Sequence, residues 1–194
     1  MNDEHLEILV SDGWRDLVRD LIVPWALGDT DLGDDVLEVG PGPGITTDLF
    51  RTRVTRLTAV EIDGTLADDL ARRLAGTNVD VVHADATAMP FASGRFSGAV
   101  SFTMLHHVPT AALQDALFAD VARVLRPGGV FVASDSVASA DLEALHGGDV
   151  YNPVDPETVE ARLVRAGFAT ATVRANDFGW TALAHTLQQP LVKE

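Results

Sequence analysis

The sequence predicts one α/β domain built on a doubly wound, mostly parallel sheet that ends in an antiparallel hairpin. Short apolar runs rich in β-branched residues alternate with amphipathic helical patterns along the 194 residues. That alternation is typical of a parallel sheet with helices on both faces. The last two predicted strands are too close in sequence for a parallel crossover. A chain of this length suits a single domain.

Seven segments are predicted to be strands. Five precede the hairpin, and their nearly continuous apolar character suits burial on both faces: Val36–Val39, Leu57–Ile62, Val79–His83, Phe96–Phe102 and Gly129–Ser134. Phe168–Arg174 and Trp180–Thr186 follow, joined by about five residues around Asn176-Asp177-Phe178-Gly179. A parallel crossover needs a dozen residues or more, so this last pair must be antiparallel.

Helices are predicted between the strands from four-residue apolar spacing and from terminal signals. Leu66, Leu70 and Leu74 precede Gly76, while Leu113, Leu117, Val121 and Leu125 precede Pro127. Asp155-Pro156-Glu157 combines a helix cap with a first-turn proline and a first-turn acid. The segment Glu4–Leu27 should form one or two helices, broken near Ser11-Asp12-Gly13, across the carboxyl edge of the sheet.

Composition argues against polyanionic partners. The net charge is −15, from 29 acidic and 14 basic residues, and Lys193 is the only lysine. Nucleic-acid binding needs clustered positive charge, so we expect neither a nucleic acid nor a membrane as partner. Cysteine is absent, which excludes disulfides and thiolate metal sites. No run approaches the roughly 20 apolar residues of a membrane helix, and the acidic start is unlike a signal peptide, so a cytoplasmic location is expected.

The strongest functional signal is a glycine loop directly after the first strand. Val36–Val39 runs into Gly40-Pro41-Gly42-Pro43-Gly44, and a helix is predicted from Ile45. Glycines allow a tight turn and let a ligand lie against bare main chain. The loop lies at the carboxyl end of a strand, where doubly wound sheets bind ligands. A dinucleotide loop would need glycine at position 45, and isoleucine stands there.

Two acids follow the next two strands. Glu61 ends the second strand and could accept hydrogen bonds from both hydroxyls of a ribose. Asp63 is more simply explained as the cap of a helix beginning near Thr65. Asp85 follows the third strand and could accept from an adenine amino group, with the Ala86 amide reaching a ring nitrogen. Together with the glycine loop, these residues predict a nucleoside pocket.

These elements resemble the ordered motifs of the class I S-adenosylmethionine-dependent methyltransferases. The matching segments lie between about Asp35 and Asp135 and read VLEVGPGPG, AVEID, HADATAMPF, FSGAVSFTMLHHV and ARVLRPGGVFVASD. The resemblance implies a Rossmann-like, doubly wound seven-stranded sheet in the order 3-2-1-4-5-7-6, with the N-terminal helices as a lid. It also implies a division into a helical lid (1–33), a cofactor-binding core (34–135) and an acceptor-side loop with the hairpin (136–194).

The resemblance further assigns residues to S-adenosylmethionine. Gly40, Gly42 and Gly44 would line its methionine part and ribose, and Glu38 would lie beneath the loop near the amino group. Glu61 would hold the ribose hydroxyls. The remaining assignments are Ile62 against the adenine face, Asp85 and Ala86 at the adenine edge, Ser101 and Phe102 at the sulfonium end, and 125–129 as a structural turn.

Catalytic residues are not identified by the sequence. His106 and His107 follow the fourth strand, and His146 lies in a predicted long loop from Ser136 to Pro153, so each is a candidate general base. Neighbouring residues cannot both face the site. No two histidines have the spacing of a metal site, and none is predicted. Trp14, Trp25 and Tyr151 could line an acceptor pocket.

The predicted reaction is direct in-line methyl transfer to an unidentified acceptor, which the absence of a large insertion suggests is a small molecule. Two alternatives remain. One is a protein that binds S-adenosylmethionine or S-adenosylhomocysteine without catalysis, since this family has no universal catalytic residue. The other is an NAD-dependent oxidoreductase, which Ile45, Asp85 and the terminal hairpin disfavour. Apolar residues in the N-terminal segment make self-association possible.

Overall fold

The computed structural model describes residues 3–188, with side chains from Leu6 onwards. Its seven-stranded sheet has the order β3-β2-β1-β4-β5-β7-β6, as predicted. The strands are β1 (Asp35–Val39), β2 (Arg56–Glu61), β3 (Val79–His83), β4 (Phe96–Phe102), β5 (Leu125–Ser136), β6 (Thr170–Ala175) and β7 (Gly179–His185). Strands β1 to β5 pair in parallel, and β7 runs antiparallel to both β5 and β6. The predicted hairpin is therefore confirmed.

Strand β5 begins earlier than the sequence indicates. Its first residue, Leu125, pairs with Phe96, and the next pairing is Val130 with Gly98. β5 thus advances five residues while β4 advances two, which makes an irregularity at the start of the strand. Gly128, with φ of +77°, lies within it. The expected turn at 125–129 is this irregular first part of β5.

The N-terminal segment is helical and interrupted where expected. It comprises α1 (Asp3–Leu9), α2 (Asp12–Leu17), a π-helical turn (Val18–Ile22) and α3 (Val23–Leu27). Ser11 separates α1 from α2 and caps α2, because its hydroxyl accepts a hydrogen bond from the Trp14 amide at 3.2 Å.

The remaining helices connect the strands. They are α4 (Ile45–Phe50), α5 (Gly64–Arg73), a 3₁₀ turn (Leu105–His107), α6 (Ala111–Val124), α7 (Ala140–Leu145) and α8 (Pro156–Arg165). Asp63 and Asp155 cap α5 and α8 as predicted, accepting from backbone amides within 3.1 Å. The expectation of a continuous loop from Ser136 to Pro153 is wrong, because Ser139 caps a short helix, α7, inside it.

Hydrophobic clusters cover both faces of the sheet. Trp180, Phe131, Phe118 and Leu163 belong to the cluster under α6 and α8. The opposite cluster contains Phe50 of α4 and, from the N-terminal segment, Val18, Val23 and Ala26. Helix α3 and Val18 of the π-helical turn therefore pack on the sheet, and α1 and α2 remain as the part that could form the predicted lid. Within residues 3–188, no helix combines the length and apolar character needed to span a bilayer. Lys193 lies outside the described residues.

Candidate functional site

The carboxyl ends of β1 to β4 meet at one edge of the sheet and border a cavity. Parallel register brings these ends together: Val39 pairs with Val60, and Glu61 pairs with His83. The cavity has a volume of about 530 Å³, within the usual range of small-molecule sites. Its wall comes from the segments after these strands and from Trp14 and Val18 of the N-terminal segment. The predicted nucleoside pocket therefore coincides with a real cavity.

The glycine loop forms part of this wall. Gly40, Gly42 and Gly44 all have positive φ, at +68°, +53° and +92°, a region that residues with a Cβ rarely adopt. A Cβ at Gly40 would collide with Met104, whereas one at Gly42 would meet no atom within 4 Å. Gly40 and Gly42 line the cavity. Gly44 instead lies against Leu70 and Arg73 of α5, so it closes the loop onto that helix.

Glu38 is a buried carboxyl group in β1. Its side chain is 2% exposed, and Oε1 accepts a 2.5 Å hydrogen bond from the Thr46 hydroxyl. Within the described residues, Oε2 has no hydrogen-bond partner. Burial raises the pKa of Glu38 to about 7, against the opposing effect of the Thr46 bond. Glu38 does not line the cavity wall, but its free oxygen fits the predicted need for a group that can attract an ammonium.

Glu61 connects two of the loops that border the cavity. Oε2 accepts from the Gly42 amide at 3.0 Å, and Oε1 accepts from the Asp63 amide at 2.9 Å. Each carboxylate oxygen keeps a further lone pair that can accept from a hydroxyl group. The structure therefore brings the glycine loop into direct contact with Glu61, the residue predicted to bind the ribose.

The predicted adenine end of the pocket lies beside Glu61. Ile62 is 66% exposed, and it lines the cavity together with Ala84, Asp85 and Ala86. The Asp85 side chain is exposed, and its Oδ1 accepts from the Thr87 amide at 2.8 Å. Apolar side chains beside the Asp85 carboxylate are a suitable environment for a heteroaromatic ring that carries an amino group.

The end of β4 agrees only partly with the prediction. Phe102 lines the cavity and packs against Phe50 at a ring-centroid distance of 5.6 Å. Ser101 is fully buried and does not line the cavity. The next residue, Thr103, does line it and has φ of +49°, an unusual conformation for a β-branched residue. Sequence reasoning missed Thr103 and Met104, because neither this φ nor the contact with Gly40 has a sequence signal.

The three candidate histidines lie together. His106 is 4% and His146 is 3% exposed, whereas His107 is half-buried and alone of the three lines the cavity. One ring nitrogen of each lies within 4.8 Å of the others. Ring centroids are 4.2 Å apart for His106 and His107, 4.9 Å for His106 and His146, and 5.1 Å for His107 and His146. The sequence spacing predicts no metal site, and the cluster arises from the fold, since α7 returns His146 to the end of β4.

The three candidate aromatic residues have different environments. Trp14 lines the cavity. Tyr151 stacks on His146 at 4.7 Å, and its hydroxyl accepts from the Ser139 amide at 3.4 Å. Trp25 lies under the guanidinium of Arg174, 5.9 Å from its ring centroid. Only Trp14 is thus placed to contact a ligand in the cavity.

Comparisons with known proteins agree with this geometry. A family model described as a methyltransferase domain matches residues 36–129. A probable S-adenosylmethionine-dependent methyltransferase of Mycolicibacterium smegmatis is 33% identical over 103 residues, which are 53% of this chain and 38% of that protein. A probable ribosomal RNA small subunit methyltransferase A of Methanopyrus kandleri is 37% identical over 76 residues, covering 38% of this chain and 27% of that protein. The chain therefore spans well under half the length of these relatives.

A solved structure extends the comparison over nearly the whole chain. The PH0226 protein of Pyrococcus horikoshii superimposes with a TM-score of 0.77, covering 96% of this chain and all of that one at 16% identity. At that identity the likeness concerns the fold. The glycine loop, Glu61 and Asp85 all lie within residues 36–129, the part of the chain that the methyltransferase-domain model matches.

Proposed function

We propose that this chain, which belongs to the class I S-adenosylmethionine-dependent methyltransferase family, binds S-adenosylmethionine in its cavity and methylates a small molecule. The observation that carries the proposal is the placement of the glycine loop, Glu61 and Asp85 at consecutive strand ends around one cavity of about 530 Å³. Each supplies the kind of contact that a different part of the cofactor needs.

The residues of the cavity fit the cofactor. Gly42 offers bare main chain on the wall. Glu61 presents carboxylate lone pairs to vicinal hydroxyls, and Asp85 presents one to an exocyclic amine. The buried Oε2 of Glu38, which has no partner among the described residues, offers negative charge for an ammonium below the loop. Bound S-adenosylmethionine supplies an activated methyl group that an acceptor nucleophile displaces in line, leaving S-adenosylhomocysteine.

The chain's own contribution to this reaction is positioning. Holding two reactants in line at close approach can supply much of the rate acceleration without a covalent intermediate. Phe102, Thr103 and Met104 would border the reacting centre. Trp14, which also lines the cavity, would help to exclude water from it. Thr103 keeps a strained backbone conformation there, a feature that clusters at functional sites.

The cavity wall indicates the kind of acceptor. It includes the apolar residues Val108, Pro109, Leu113 and Leu117 and the polar residues His107 and Asp149. An apolar wall with few polar groups is typical of small-molecule sites. We therefore infer a compact, partly apolar acceptor.

The arginines argue against an RNA acceptor, despite the ribosomal RNA methyltransferases among the relatives. RNA binding requires positive charge that is free to neutralise phosphates. Nine arginines instead form ion pairs with aspartates of this chain: Arg15, Arg19, Arg51, Arg56, Arg72, Arg73, Arg123, Arg126 and Arg162. With a net charge of −15, the surface would repel a polyanion.

The cofactor assignment is tested by calorimetric titration with S-adenosylhomocysteine, with NAD as a parallel titrant. We expect micromolar binding of the first and no heat from the second. Binding of NAD alone would contradict the nucleoside-pocket assignment. Binding of neither would refute the proposal that this cavity holds the cofactor.

Catalysis is tested separately from binding. The protein is incubated with S-adenosylmethionine and panels of small hydroxyl, thiol, amine and carboxylate acceptors, and S-adenosylhomocysteine release is measured. Acceptor-dependent release supports methyl transfer. Binding without release on any panel would instead favour the non-catalytic alternative.

A further inference from the structure

We infer that His106, His107 and His146 form a binding site for a divalent transition-metal ion, with Zn²⁺ as the preferred occupant. This site adds to the proposed cofactor cavity and does not depend on it. The three imidazoles each bring a ring nitrogen within 4.8 Å of the other two. Imidazole is a favoured ligand of Zn²⁺, and three protein ligands with one open position form a common catalytic zinc geometry.

Two of the three rings are already oriented as metal ligands. His106 Nδ1 lies 2.6 Å from Oδ1 of the buried Asp135, and His146 Nδ1 lies 2.6 Å from the Leu142 carbonyl oxygen. Metal-binding histidines typically donate the other ring N–H to a carboxylate or a backbone carbonyl in this manner. In His106 this contact leaves Nε2 as the nitrogen that can coordinate a cation.

His106 supplies independent support. The ring is nine-tenths buried or more, yet its Nε2 has no hydrogen-bond partner within residues 3–188. An unsatisfied buried polar atom costs about 1 to 3 kcal/mol. Coordination of a cation would satisfy this nitrogen, and the adjacent Asp135 carboxylate would help to balance the added charge.

The scaffold around the cluster is firmly built. The Asp135 carboxylate also accepts from the His106 amide at 3.0 Å. Asn152 donates its amide to the His106 carbonyl at 2.7 Å and its side-chain amide to the Val108 carbonyl at 3.0 Å. Gln114 bridges the carbonyls of Leu105 and Asn152. These bonds fix the segment after His146 against the turn that carries His106 and His107.

The spacing needs only a small adjustment. Zn–N bonds of about 2.0 to 2.1 Å put tetrahedral ligand nitrogens about 3.4 Å apart. Nitrogens that lie within 4.8 Å of each other therefore have to close by about 1.4 Å at most.

The position of the site indicates what the ion would do. His107 lines the cavity, and Asp149, three residues after His146, lines it too. An ion held there with an open position would bind an acceptor oxygen or sulfur and favour its deprotonated, nucleophilic form. This last step rests on the proposed methyl transfer, whereas metal binding itself does not.

The test uses the full chain without a polyhistidine tag, stripped with a chelator and titrated with ZnCl₂ by calorimetry. Bound metal is then counted by elemental analysis. We expect roughly one Zn²⁺ per chain with micromolar affinity or better. His107→Ala should lower the affinity for Zn²⁺ by at least about 10- to 100-fold, the effect typical of losing a residue that only supports a metal ligand. His185→Ala, which removes a histidine of β7 outside the cluster, is the matched control and should bind as the wild type does.

A second measurement guards against misfolding of the variant. Co²⁺ added to the wild-type protein should produce the intense visible bands of tetrahedral coordination, and Zn²⁺ should abolish them. The inference is overturned if the wild type binds no stoichiometric Zn²⁺ or if His107→Ala binds it as tightly. S-adenosylhomocysteine is titrated into the same wild-type preparation. If the wild type binds S-adenosylhomocysteine but no Zn²⁺, this inference alone is refuted. If it binds Zn²⁺ but no S-adenosylhomocysteine, the proposed function alone is refuted.

Discussion

Replacing Glu38 by glutamine should stabilise the protein relative to the wild type, and this gain should be larger at pH 8 than at pH 5.5. Burial raises the pKa of Glu38 from 4.5 to about 7, so the folded protein keeps this proton to higher pH than the unfolded chain does. Between these two pKa values the folded state binds more protons, and wild-type stability therefore falls as the pH rises. Glutamine is neutral throughout and escapes this loss.

The magnitude follows from the size of the shift. One pKa unit corresponds to 1.36 kcal/mol. The raised pKa of Glu38 therefore costs the wild type about 3 kcal/mol of folding stability above pH 7. At pH 5.5 about 1.4 kcal/mol of this penalty is already present, because the unfolded carboxyl group is largely ionised there. The stability difference between variant and wild type should thus grow by about 2 kcal/mol from pH 5.5 to pH 8.

Urea unfolding at both pH values measures this growth directly, and taking the difference removes the pH dependence of all other groups. Glu160→Gln, at an exposed position on α8, is the matched control for the substitution itself. An equal stability difference at both pH values would refute the reasoning, because it would mean that Glu38 ionises alike in the folded and unfolded chain.

Three further substitutions test the cavity and the core. Asp85→Ala should weaken S-adenosylhomocysteine binding by about 1.5 to 3 kcal/mol through loss of a charge-assisted hydrogen bond. Asp80→Ala, which removes an exposed carboxylate of β3 that does not line the cavity, should leave binding unchanged. Equal affinities of the two variants by calorimetry would contradict the adenine assignment. Gly42→Val should abolish S-adenosylhomocysteine binding. Gly76→Val is its control, because Gly76 also has a positive φ, +80°, and a Cβ there would meet no atom within 4 Å. The control should lower the unfolding midpoint through similar backbone strain but leave binding intact. Phe131→Ala should cost about 3 to 5 kcal/mol in urea unfolding, and a cost below about 1 kcal/mol would contradict its placement in the core.

Much of the fold was predictable because its signals are local. Strands β3 and β4 match their predicted bounds, since each is a short run with apolar residues that is followed by turn residues. Asp63 and Asp155 cap their helices as predicted, because a cap depends on amides two or three residues away. The hairpin follows from the short distance along the chain between its two strands. Helix α7 was missed because its six residues carry too little apolar periodicity to be distinguished from a loop.

The residues around the cavity were partly predictable for the same reason. Gly40, Gly42, Glu61 and Asp85 lie at or within three residues of the ends of parallel strands, and parallel strands bring such positions to one edge. The contact of Gly44 with α5 is different, because it depends on how a helix twenty residues later packs. Ser101 was assigned to the cavity although its side chain is buried within the sheet.

The sequence by itself determined the order of strands and helices, the glycine loop and the acids at the strand ends, because each arises from short-range periodicity or from a single strand terminus. The tertiary structure decided the pKa of Glu38, the strained Thr103 and the cluster of His106, His107 and His146. These depend on burial and on contacts between segments far apart in the chain. Asp135 meets His106 because β4 and β5 pair in register, and His146 joins them because α7 folds back over that edge.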